Sequence, residues 1–269
     1  MKDHSLEVHG CHTYDATGAI SPSICLSATF RHPRFGESTG YDYGRVANPT
    51  RESLEKTVAL LERGGRSWAL SSGMAAVQLV FSLLSAGDHV LMSEDLYGGT
   101  VRLAEEVFAD YGIIFEYVDV RDLALVGKRM RPETKLVFIE TPSNPMMQIS
   151  DIAALSALAH ENGALLAVDN TFLSPHFQKP LTLGADIVLH SGTKYLCGHN
   201  DVIAGFLVLK DATSAQAKRI ELLAKSAGPN LSALDSWLML RSIKTLGVRV
   251  ERQAENALAI AQWLGTLPE

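Results

Sequence analysis

The chain has 269 residues and a formal net charge of −6 at pH 7, from 24 Lys+Arg against 30 Asp+Glu. This acidity argues against a nucleic-acid partner, because contact with phosphate backbones draws on a surplus of basic residues. With 46% apolar and 20% charged residues, the sequence holds enough apolar material for a large packed core, which excludes a disordered chain.

The amino terminus and the cysteines both predict a cytoplasmic protein. The opening segment MKDHSLEVHG lacks the apolar stretch of a signal peptide, and no later run approaches the ~20 apolar residues of a membrane span. The three cysteines, Cys11, Cys25 and Cys197, are far apart and odd in number. They form no disulfide framework and no zinc spacing, which fits a reducing compartment.

In chain order, residues 1–50 predict an irregular arm that carries an aromatic and basic cluster around Tyr43 and Arg45. A helix is expected over residues 51–63, with Thr50 as its N-cap and two glycines at its end. Short apolar runs then predict strands at 68–70, 89–92, 113–120, 136–139, 164–168 and 186–189, with helical patterns between them at 74–84, 101–108 and 152–159. After Lys210 the pattern is helical over 212–225, 231–246 and 248–264.

The strand runs are mostly apolar along their whole length, which is typical of parallel strands covered on both faces. Repeated strand–helix–strand units predict an open, doubly wound α/β sheet. In such a sheet ligands bind at the carboxyl ends of the strands, so the residues that follow each strand are the candidates for a site.

Three of these segments each allow two interpretations. Ser71-Ser72-Gly73-Met74 opens a helix with small residues, which suits either a phosphate cradle or a tight strand-to-helix turn. Tyr97 precedes two glycines, so its ring could lie flat on a ligand or simply pack in a loop. Asn144 stands between two prolines, where it is either held rigidly for binding or part of a plain turn.

Two charged residues are more specific. Asp169 closes a wholly apolar strand, where a carboxylate needs a partner: either a structural salt bridge or a protonated ring nitrogen. Lys194 follows the next strand in His190-Ser191-Gly192-Thr193-Lys194-Tyr195. Most lysines are solvated surface residues, but a desolvated one can act as a nucleophilic amine and form an imine.

Together these residues suit a phosphorylated aromatic aldehyde with a basic ring nitrogen. The phosphate would bind at the helix start at Gly73, and the ring would lie against Tyr97. The ring nitrogen would pair with Asp169, and the aldehyde would react with Lys194. That description fits pyridoxal 5′-phosphate (PLP). A nicotinamide dehydrogenase is disfavoured, because no G-x-G-x-x-G follows the first strand.

The sequence resembles the Cys/Met-metabolism family of PLP-dependent enzymes in five motifs: S-S-G-M-A-A, L-Y-G-G-T, E-T-P-S-N-P, V-D-N-T-F and H-S-G-T-K-Y. The resemblance extends over residues 13–264. It implies the aspartate aminotransferase-like α/β fold (fold type I) for the large domain. It also implies that Lys194 is the imine lysine, that Asp169 pairs with the pyridinium, that Tyr97 stacks on the ring as an acid–base group, and that Asn144 touches the phenolic oxygen.

The resemblance also implies a phosphate site and an assembly. Ser72, Gly73, Met74, Ser191 and Thr193 would hold the phosphate. In this family the motif Y-D-Y-G-R-V-A-N-P-T reaches a neighbouring subunit, so Tyr43 and Arg45 would complete the site there, in a homotetramer built from two active dimers.

The activity that the resemblance implies is the making or breaking of C–S bonds in cystathionine- and homocysteine-type amino acids. The leading interpretation is γ-replacement of cystathionine γ-synthase type, on O-acyl-homoserine with cysteine. The alternatives are a cystathionine γ- or β-lyase, an O-acetylhomoserine sulfhydrylase, or an inactive cofactor-binding fragment. Methionine γ-lyase is disfavoured, because its family members place a cysteine where Gly99 stands.

The resemblance further predicts three regions: the arm at 1–50, the PLP-binding domain at 51–228, and a helical start of a truncated C-terminal domain at 229–269. Family members continue into a smaller domain that supplies the arginine for the substrate carboxylate, and no residue here matches it. The chain departs from the family at Gly192, where alanine is usual, and at Cys197, where a small glycine or serine is common. It also departs mildly in Leu240-Arg241-Ser242-Ile243-Lys244-Thr245-Leu246, where the family has L-R-G-L-K-T-L.

Overall fold

A computed structural model of the chain describes residues 3–10 and 18–268 and contains the predicted alternation of strands and helices. In chain order the elements are α1 (Asp3–His9), α2 (Pro49–Leu61), β1 (Arg66–Leu70), α3 (Gly73–Phe81), β2 (His89–Ser93), α4 (Gly98–Leu103), β3 (Ile114–Val118), α5 (Leu123–Arg129), β4 (Thr134–Glu140), α6 (Ile152–Glu161), β5 (Leu165–Asp169), α7 (Ser174–Phe177), β6 (Ile187–Ser191), β7 (Gly205–Leu209), α8 (Ala215–Ala227), α9 (Ala233–Ile243) and α10 (Leu246–Leu264). Over the described ranges, no helix is both long and apolar enough to cross a bilayer.

The seven strands form one sheet in the order β1-β7-β6-β5-β4-β2-β3. Strands β3, β2, β4, β5 and β6 pair in parallel, and β7 runs antiparallel to both β6 and β1. Six strands therefore point the same way, and their carboxyl ends meet at one edge of the sheet. The predicted fold class, a mostly parallel sheet, is confirmed.

Both faces of the sheet are covered, as the apolar strands predict. Along β4, Val137 and Ile139 belong to one buried cluster, which α2, α6, α9 and the start of α10 complete. Leu136 and Phe138 belong to a second cluster on the other face, under α3 and α8. Because side chains alternate along a strand, each strand supplies both cores and is fixed in register.

The prediction of an irregular arm is wrong at its start, since Asp3–His9 is helical. This short helix is held by tertiary contacts: Leu6 is buried, and the carboxylate of Glu7 accepts a hydrogen bond from the backbone N of Gly247 at 3.1 Å and lies 2.8 Å from Nδ1 of His176. No local sequence pattern predicts that this short helix packs against distant parts of the chain. Between residues 18 and 48 the described chain has no helix or strand, and the predictions at Cys11 and residue 13 lie outside the described residues.

The N-cap of α2 is Asn48, not the predicted Thr50. Its Oδ1 accepts hydrogen bonds from the backbone N of Thr50 and Arg51, at 3.0 and 3.2 Å. Pro49 then takes the first helical position, where its missing N–H costs nothing. An Asn-Pro pair therefore starts the helix two residues earlier than predicted.

Strand β7 (Gly205–Leu209), together with helices α5 and α7, is absent from the sequence prediction. β7 follows β6 without an intervening helix, so it does not belong to a strand–helix–strand unit, which is the pattern that predicts the other strands. The antiparallel return leaves a loop over residues 192–204, which carries Lys194.

The end of the chain is partly packed and partly exposed. Helix α9 contacts α2, and Met239 lies in the same buried cluster as the core of the sheet. In α10, Leu246 and Val250 are buried, whereas residues 251–268 are exposed. The predicted division at residue 228 stays a prediction.

Candidate active site

A cavity of about 300 Å³ lies at the carboxyl edge of the sheet, where the sequence predicts the ligand. It collects nine of the eleven predicted site residues, from five strand ends: Ser72, Gly73, Met74, Tyr97, Asn144, Asp169, Ser191, Thr193 and Lys194. Glu140, Thr171, Phe172 and Ile203 are among the lining residues that the sequence did not assign.

The start of α3 lies directly against the end of β6. Ser72 caps this helix, since its Oγ accepts a hydrogen bond from the backbone N of Ala75 at 3.1 Å. A Cβ on Gly73 would lie 2.9 Å from the Cβ of Ser191, so the close approach requires glycine here. The first amides of a helix lack intrahelical acceptors, and together with the Ser191 hydroxyl they can bind an anion.

Thr193 is less available for a phosphate than its position suggests. Its Oγ1 donates to the backbone O of Ala204 at 3.2 Å and accepts from the backbone N of Ala204 at 3.0 Å. The hydroxyl proton is therefore already engaged, and only acceptor capacity remains. The phosphate role of Thr193 stays a prediction.

Asp169 ends β5 and opens on the cavity without a cationic side-chain partner. Its Oδ1 accepts hydrogen bonds from the backbone N of Thr171 at 3.0 Å and from the Oγ1 of Thr171 at 2.5 Å. No Lys or Arg forms an ion pair with it in the described part of the chain. Burial raises the pKa of Asp169, against the lowering effect of Thr171 and of nearby His190. The structural salt bridge is thus not the arrangement found, and the carboxylate is suited to a cationic ligand.

A second carboxyl group, which the sequence did not identify as a site residue, stands beside it. Glu140 ends β4 opposite Asp169 in the strand register, and its Oε2 accepts a hydrogen bond from the backbone N of Tyr97 at 2.8 Å. Burial and the neighbouring Asp169 raise the pKa of Glu140 to about 8. Glu140 follows an apolar strand as Asp169 does, so the same criterion could have found it.

We expect Glu140 to make the ligand-free protein less stable as the pH rises. Because its pKa is higher in the folded chain than its ordinary 4.5, the folded state binds the extra proton, and that stabilisation is lost between pH 4.5 and about 8. Glu140→Gln should not lose this stability, so its melting temperature should rise increasingly above that of the wild type as the pH increases from 4.5 to about 8. Parallel melting curves would contradict the shift.

Tyr97 and Asn144 both line the cavity, as predicted. Tyr97 is 51% exposed, and a Cβ on Gly99 would clash with its ring and with the Sδ of Met74. The glycine therefore makes room for the tyrosine ring beside the cavity. Their contacts to a cofactor stay predictions.

Lys194 is not desolvated in this chain by itself, because its side chain is exposed. Strand β6 ends at Ser191, and the following turn places the lysine at the mouth of the cavity, with its backbone N donating to the O of Ser191 at 3.2 Å. The amine can therefore reach a ligand in the cavity, while nothing in the described chain covers it.

Tyr43 and Arg45 do not join this cavity. They line a separate one of about 480 Å³ with Gly228 and Asn230. The guanidinium of Arg45 lies 5.3 Å from the centre of the Tyr43 ring and donates to the backbone O of Lys225. Their predicted role in a neighbouring subunit stays a prediction.

The departures from the family pattern have local explanations. A Cβ on Gly192 would lie 2.5 Å from the Cε2 of Phe206 on β7, so alanine would not fit without movement of that ring. Cys197 is fully buried and its Sγ donates to Oδ1 of Asp201 at 3.1 Å, so it fills space in the core. The change at Ser242 has no effect that the structure explains.

Comparison with known proteins decides the family. The sequence model of the Cys/Met metabolism PLP-dependent enzymes matches residues 4–269. The chain belongs to this family. Its cofactor is PLP, and its relatives are trans-sulfuration enzymes.

Individual members of this family are similar to the chain over nearly its whole length. It is 46% identical to the cystathionine gamma-lyase of Bacillus subtilis, covering 100% of this chain and 70% of that protein. It is also 46% identical to a B. subtilis cystathionine gamma-synthase/O-acetylhomoserine (thiol)-lyase, over 93% of this chain and 66% of the relative. Among solved structures, cystathionine gamma-lyase from Lactobacillus plantarum complexed with L-serine superposes with a TM-score of 0.96 at 45% identity, covering 100% of this chain and 70% of that one. The predicted fold type is confirmed.

The residues of the cavity fit the cofactor. A helix start with close Gly73–Ser191 contact suits a phosphate, and a half-buried carboxylate without a paired Lys or Arg suits a protonated ring nitrogen. An exposed primary amine at the mouth suits an aldehyde. These three chemistries occur together in PLP.

Proposed function

We propose that PLP binds in the cavity at the carboxyl edge of the sheet, with Lys194 bonded to its aldehyde and Asp169 paired with its ring nitrogen. The observation that carries the proposal is the Asp169 carboxylate, which faces the same small cavity as the Lys194 amine and lacks a protein cation. The start of α3 and Ser191 would hold the phosphate. Tyr97 would contact the face of the ring, and Asn144 would contact the phenolic oxygen.

The protein groups then have distinct roles. PLP, when bound, supplies an electron sink for charge that develops at the substrate's α-carbon. Asp169 keeps the ring nitrogen protonated, and Lys194, once its amine is released, takes the α-proton as a general base. Tyr97 would exchange a proton near the ring of the cofactor. Glu140 holds the Tyr97 backbone beside the cavity through its 2.8 Å hydrogen bond.

For the reaction, we propose γ-replacement on an O-acyl-homoserine with cysteine as the incoming thiol. The glycine at position 99 supports this assignment over methionine γ-lyase, because enzymes of that type place a cysteine there. Cystathionine cleavage is the second candidate, since relatives named gamma-lyase are as similar as those named gamma-synthase. We further propose that Tyr43 and Arg45 act in a neighbouring subunit of a homotetramer, because they lie outside this chain's own cavity.

A product assay separates these reactions. Purified protein loaded with PLP is offered O-acetyl- or O-succinyl-homoserine with cysteine, and separately cystathionine alone. We expect cystathionine from the first mixture. Pyruvate, or 2-oxobutyrate, with ammonia from the second would instead assign a lyase. No product from any mixture, despite bound cofactor, would identify a cofactor-binding chain without activity.

A further inference from the structure

Two histidines and two glutamates meet where helices α1, α7 and α10 come together. They are His4 and Glu7 on α1, His176 on α7 and Glu251 on α10. One ring nitrogen of each histidine and one carboxylate oxygen of Glu7 lie within 4.8 Å of one another. No other group of three His, Cys, Asp or Glu side chains in the described part of the chain is arranged this way.

The Nδ1 atoms of both imidazoles face the buried carboxylate of Glu7. Nδ1 of His176 is 2.8 Å from Oε1 of Glu7, and Nδ1 of His4 is 3.7 Å from its Oε2. Two ligands of one tetrahedral zinc ion stand about 3.3 Å apart, because Zn–N and Zn–O bonds are about 2.0–2.2 Å long. The two separations lie on either side of this value, so small side-chain movements would let a single ion bind all three groups.

The Nε2 atoms of the same imidazoles face a second carboxylate. Oε1 of Glu251 is 3.5 Å from Nε2 of His4 and 3.3 Å from Nε2 of His176. In metal sites a ligating histidine donates its other ring N–H to a carboxylate, and a ligating carboxylate is itself hydrogen-bonded. Glu251 has the position of the first of these partners. The backbone N of Gly247, which donates to Oε2 of Glu7 at 3.1 Å, is the second.

Hydrogen bonding alone does not account for this arrangement. Of the four separations between imidazole nitrogens and carboxylate oxygens, only the one between His176 and Glu7 falls within the usual 2.7–3.2 Å of an N–H···O bond. Two imidazoles that each place one nitrogen toward a buried carboxylate and the other toward an exposed one instead match a metal site with its outer partner.

The donor set and the exposure indicate which ion would bind and how it would enter. Imidazole and carboxylate ligands together suit zinc and similar divalent transition metals, whereas calcium and magnesium prefer oxygen ligands throughout. Glu7 and His176 are 3% and 9% exposed, while His4 and Glu251 are 61% and 47% exposed. The ion can therefore arrive from solvent on the side of His4, and three protein ligands leave one position for water.

We propose that His4, Glu7 and His176 bind Zn²⁺ or a similar divalent transition-metal ion, and that this ion clamps the amino-terminal helix α1 onto α7. Glu251 is a positioning residue, which orients both imidazoles through their outer nitrogens. The inference is independent of the proposed binding of PLP, because none of these residues lines the cofactor cavity.

The first test uses Co²⁺ as a spectroscopic substitute for zinc on the purified full chain, freed of metal with a chelator. We expect one tightly bound Co²⁺ per chain, with the visible absorption of an ion that has nitrogen and oxygen ligands. Zn²⁺ should displace it, because zinc binds such ligands more tightly than cobalt does. A thiolate-to-metal charge-transfer band would place the ion on a cysteine and overturn the proposal, as would a failure to bind Co²⁺.

Two variants separate the ligand from its positioning residue. His4→Gln removes an exposed ligand, so the fold should survive. Its Co²⁺ affinity should fall by more than about 100-fold, the upper range for loss of an outer partner. Glu251→Gln keeps all three ligands and should lose about 10–100-fold. Unchanged affinity in His4→Gln would overturn the site, and unchanged affinity in Glu251→Gln would overturn the positioning role.

His160→Gln is the matched control. His160 is also an exposed histidine beside a carboxylate, with its Nε2 2.8 Å from Oδ2 of Asp186, but it lies on α6 and outside the cluster. The variant should bind Co²⁺ as the wild type does. Equal losses in His160→Gln and His4→Gln would show that the ion binds exposed histidines in general, which contradicts a built site.

Hydrogen exchange tests the clamp itself. The amide of Gly247 donates to the Glu7 carboxylate, so it becomes free to exchange when α1 leaves its docked position. An ion that needs ligands from both α1 and α7 binds only the docked helix, so Zn²⁺ at a hundred times its Kd should slow this exchange about a hundredfold. In His4→Gln the same Zn²⁺ should have no effect. Bound Zn²⁺ without slower exchange in the wild type would overturn the clamp.

Discussion

Lys194→Ala should abolish the covalent attachment of PLP. Wild-type protein mixed with PLP should turn yellow, and borohydride should fix the cofactor to the peptide that contains Lys194. In the variant no amine stands at the cavity mouth, so neither colour nor fixed adduct should form. Activity should fall by at least the roughly 10²–10⁴-fold that a positioned acid–base group contributes. Absorbance and peptide mass mapping measure the result.

Lys210→Ala is the control for this experiment. Lys210 directly follows β7 and is exposed, as Lys194 is, but it does not line the cavity. Its loss should leave colour and adduct unchanged. If Lys194→Ala kept the colour and borohydride fixed the cofactor elsewhere, the assignment of Lys194 would be refuted.

The position of Lys194 was predictable, but its exposure was not. It follows an apolar strand, and strand ends in a parallel sheet share one edge, so sequence alone places it beside Asp169. Whether a side chain at that edge is desolvated depends on what packs over the edge. In the described chain Lys194 is exposed, and no local sequence pattern predicts that exposure.

Glu140 and the pair of Glu7 with His176 show two other limits. Glu140 satisfies the criterion that selects Asp169, since each ends an apolar strand, and the sequence alone does not show that the two face each other. Glu7 and His176 are 169 residues apart, and they meet only because α1 packs beside α7. Such a contact depends on tertiary packing between distant segments, which the apolar pattern does not determine.

Asp169→Asn should have opposite effects on the free and the loaded protein. Without cofactor, the variant removes a half-buried carboxylate whose pKa is raised, so the wild-type folded state loses stability as the pH rises above the ordinary carboxyl range, and the variant does not. The variant's melting temperature at neutral pH should therefore be higher. With cofactor, the charged hydrogen bond to the ring nitrogen is lost, which is worth about 1.5–3 kcal/mol, or ten- to hundredfold in affinity.

Glu140→Gln separates a specific role of Asp169 from the mere removal of a carboxyl group whose pKa is raised. Both variants should raise the melting temperature of the free protein at neutral pH, but only Asp169→Asn should weaken PLP binding to this extent. Equal losses of affinity would show that Asp169 is not the partner of the ring nitrogen. An unstable free Asp169→Asn would show that the carboxylate has a structural partner.

The opposite signs follow from where Asp169 stands. A carboxylate that served the fold would be paired with a protein cation, and its loss would destabilise the free protein. Asp169 has two hydrogen bonds from Thr171 and no such cation in the described chain, so the free protein bears the cost of its burial. Only a ligand with a positive ring nitrogen offsets that cost, because ligand binding adds stability to the folded state alone. A rise in free stability together with a loss of affinity is therefore the result expected of a carboxylate kept for the cofactor.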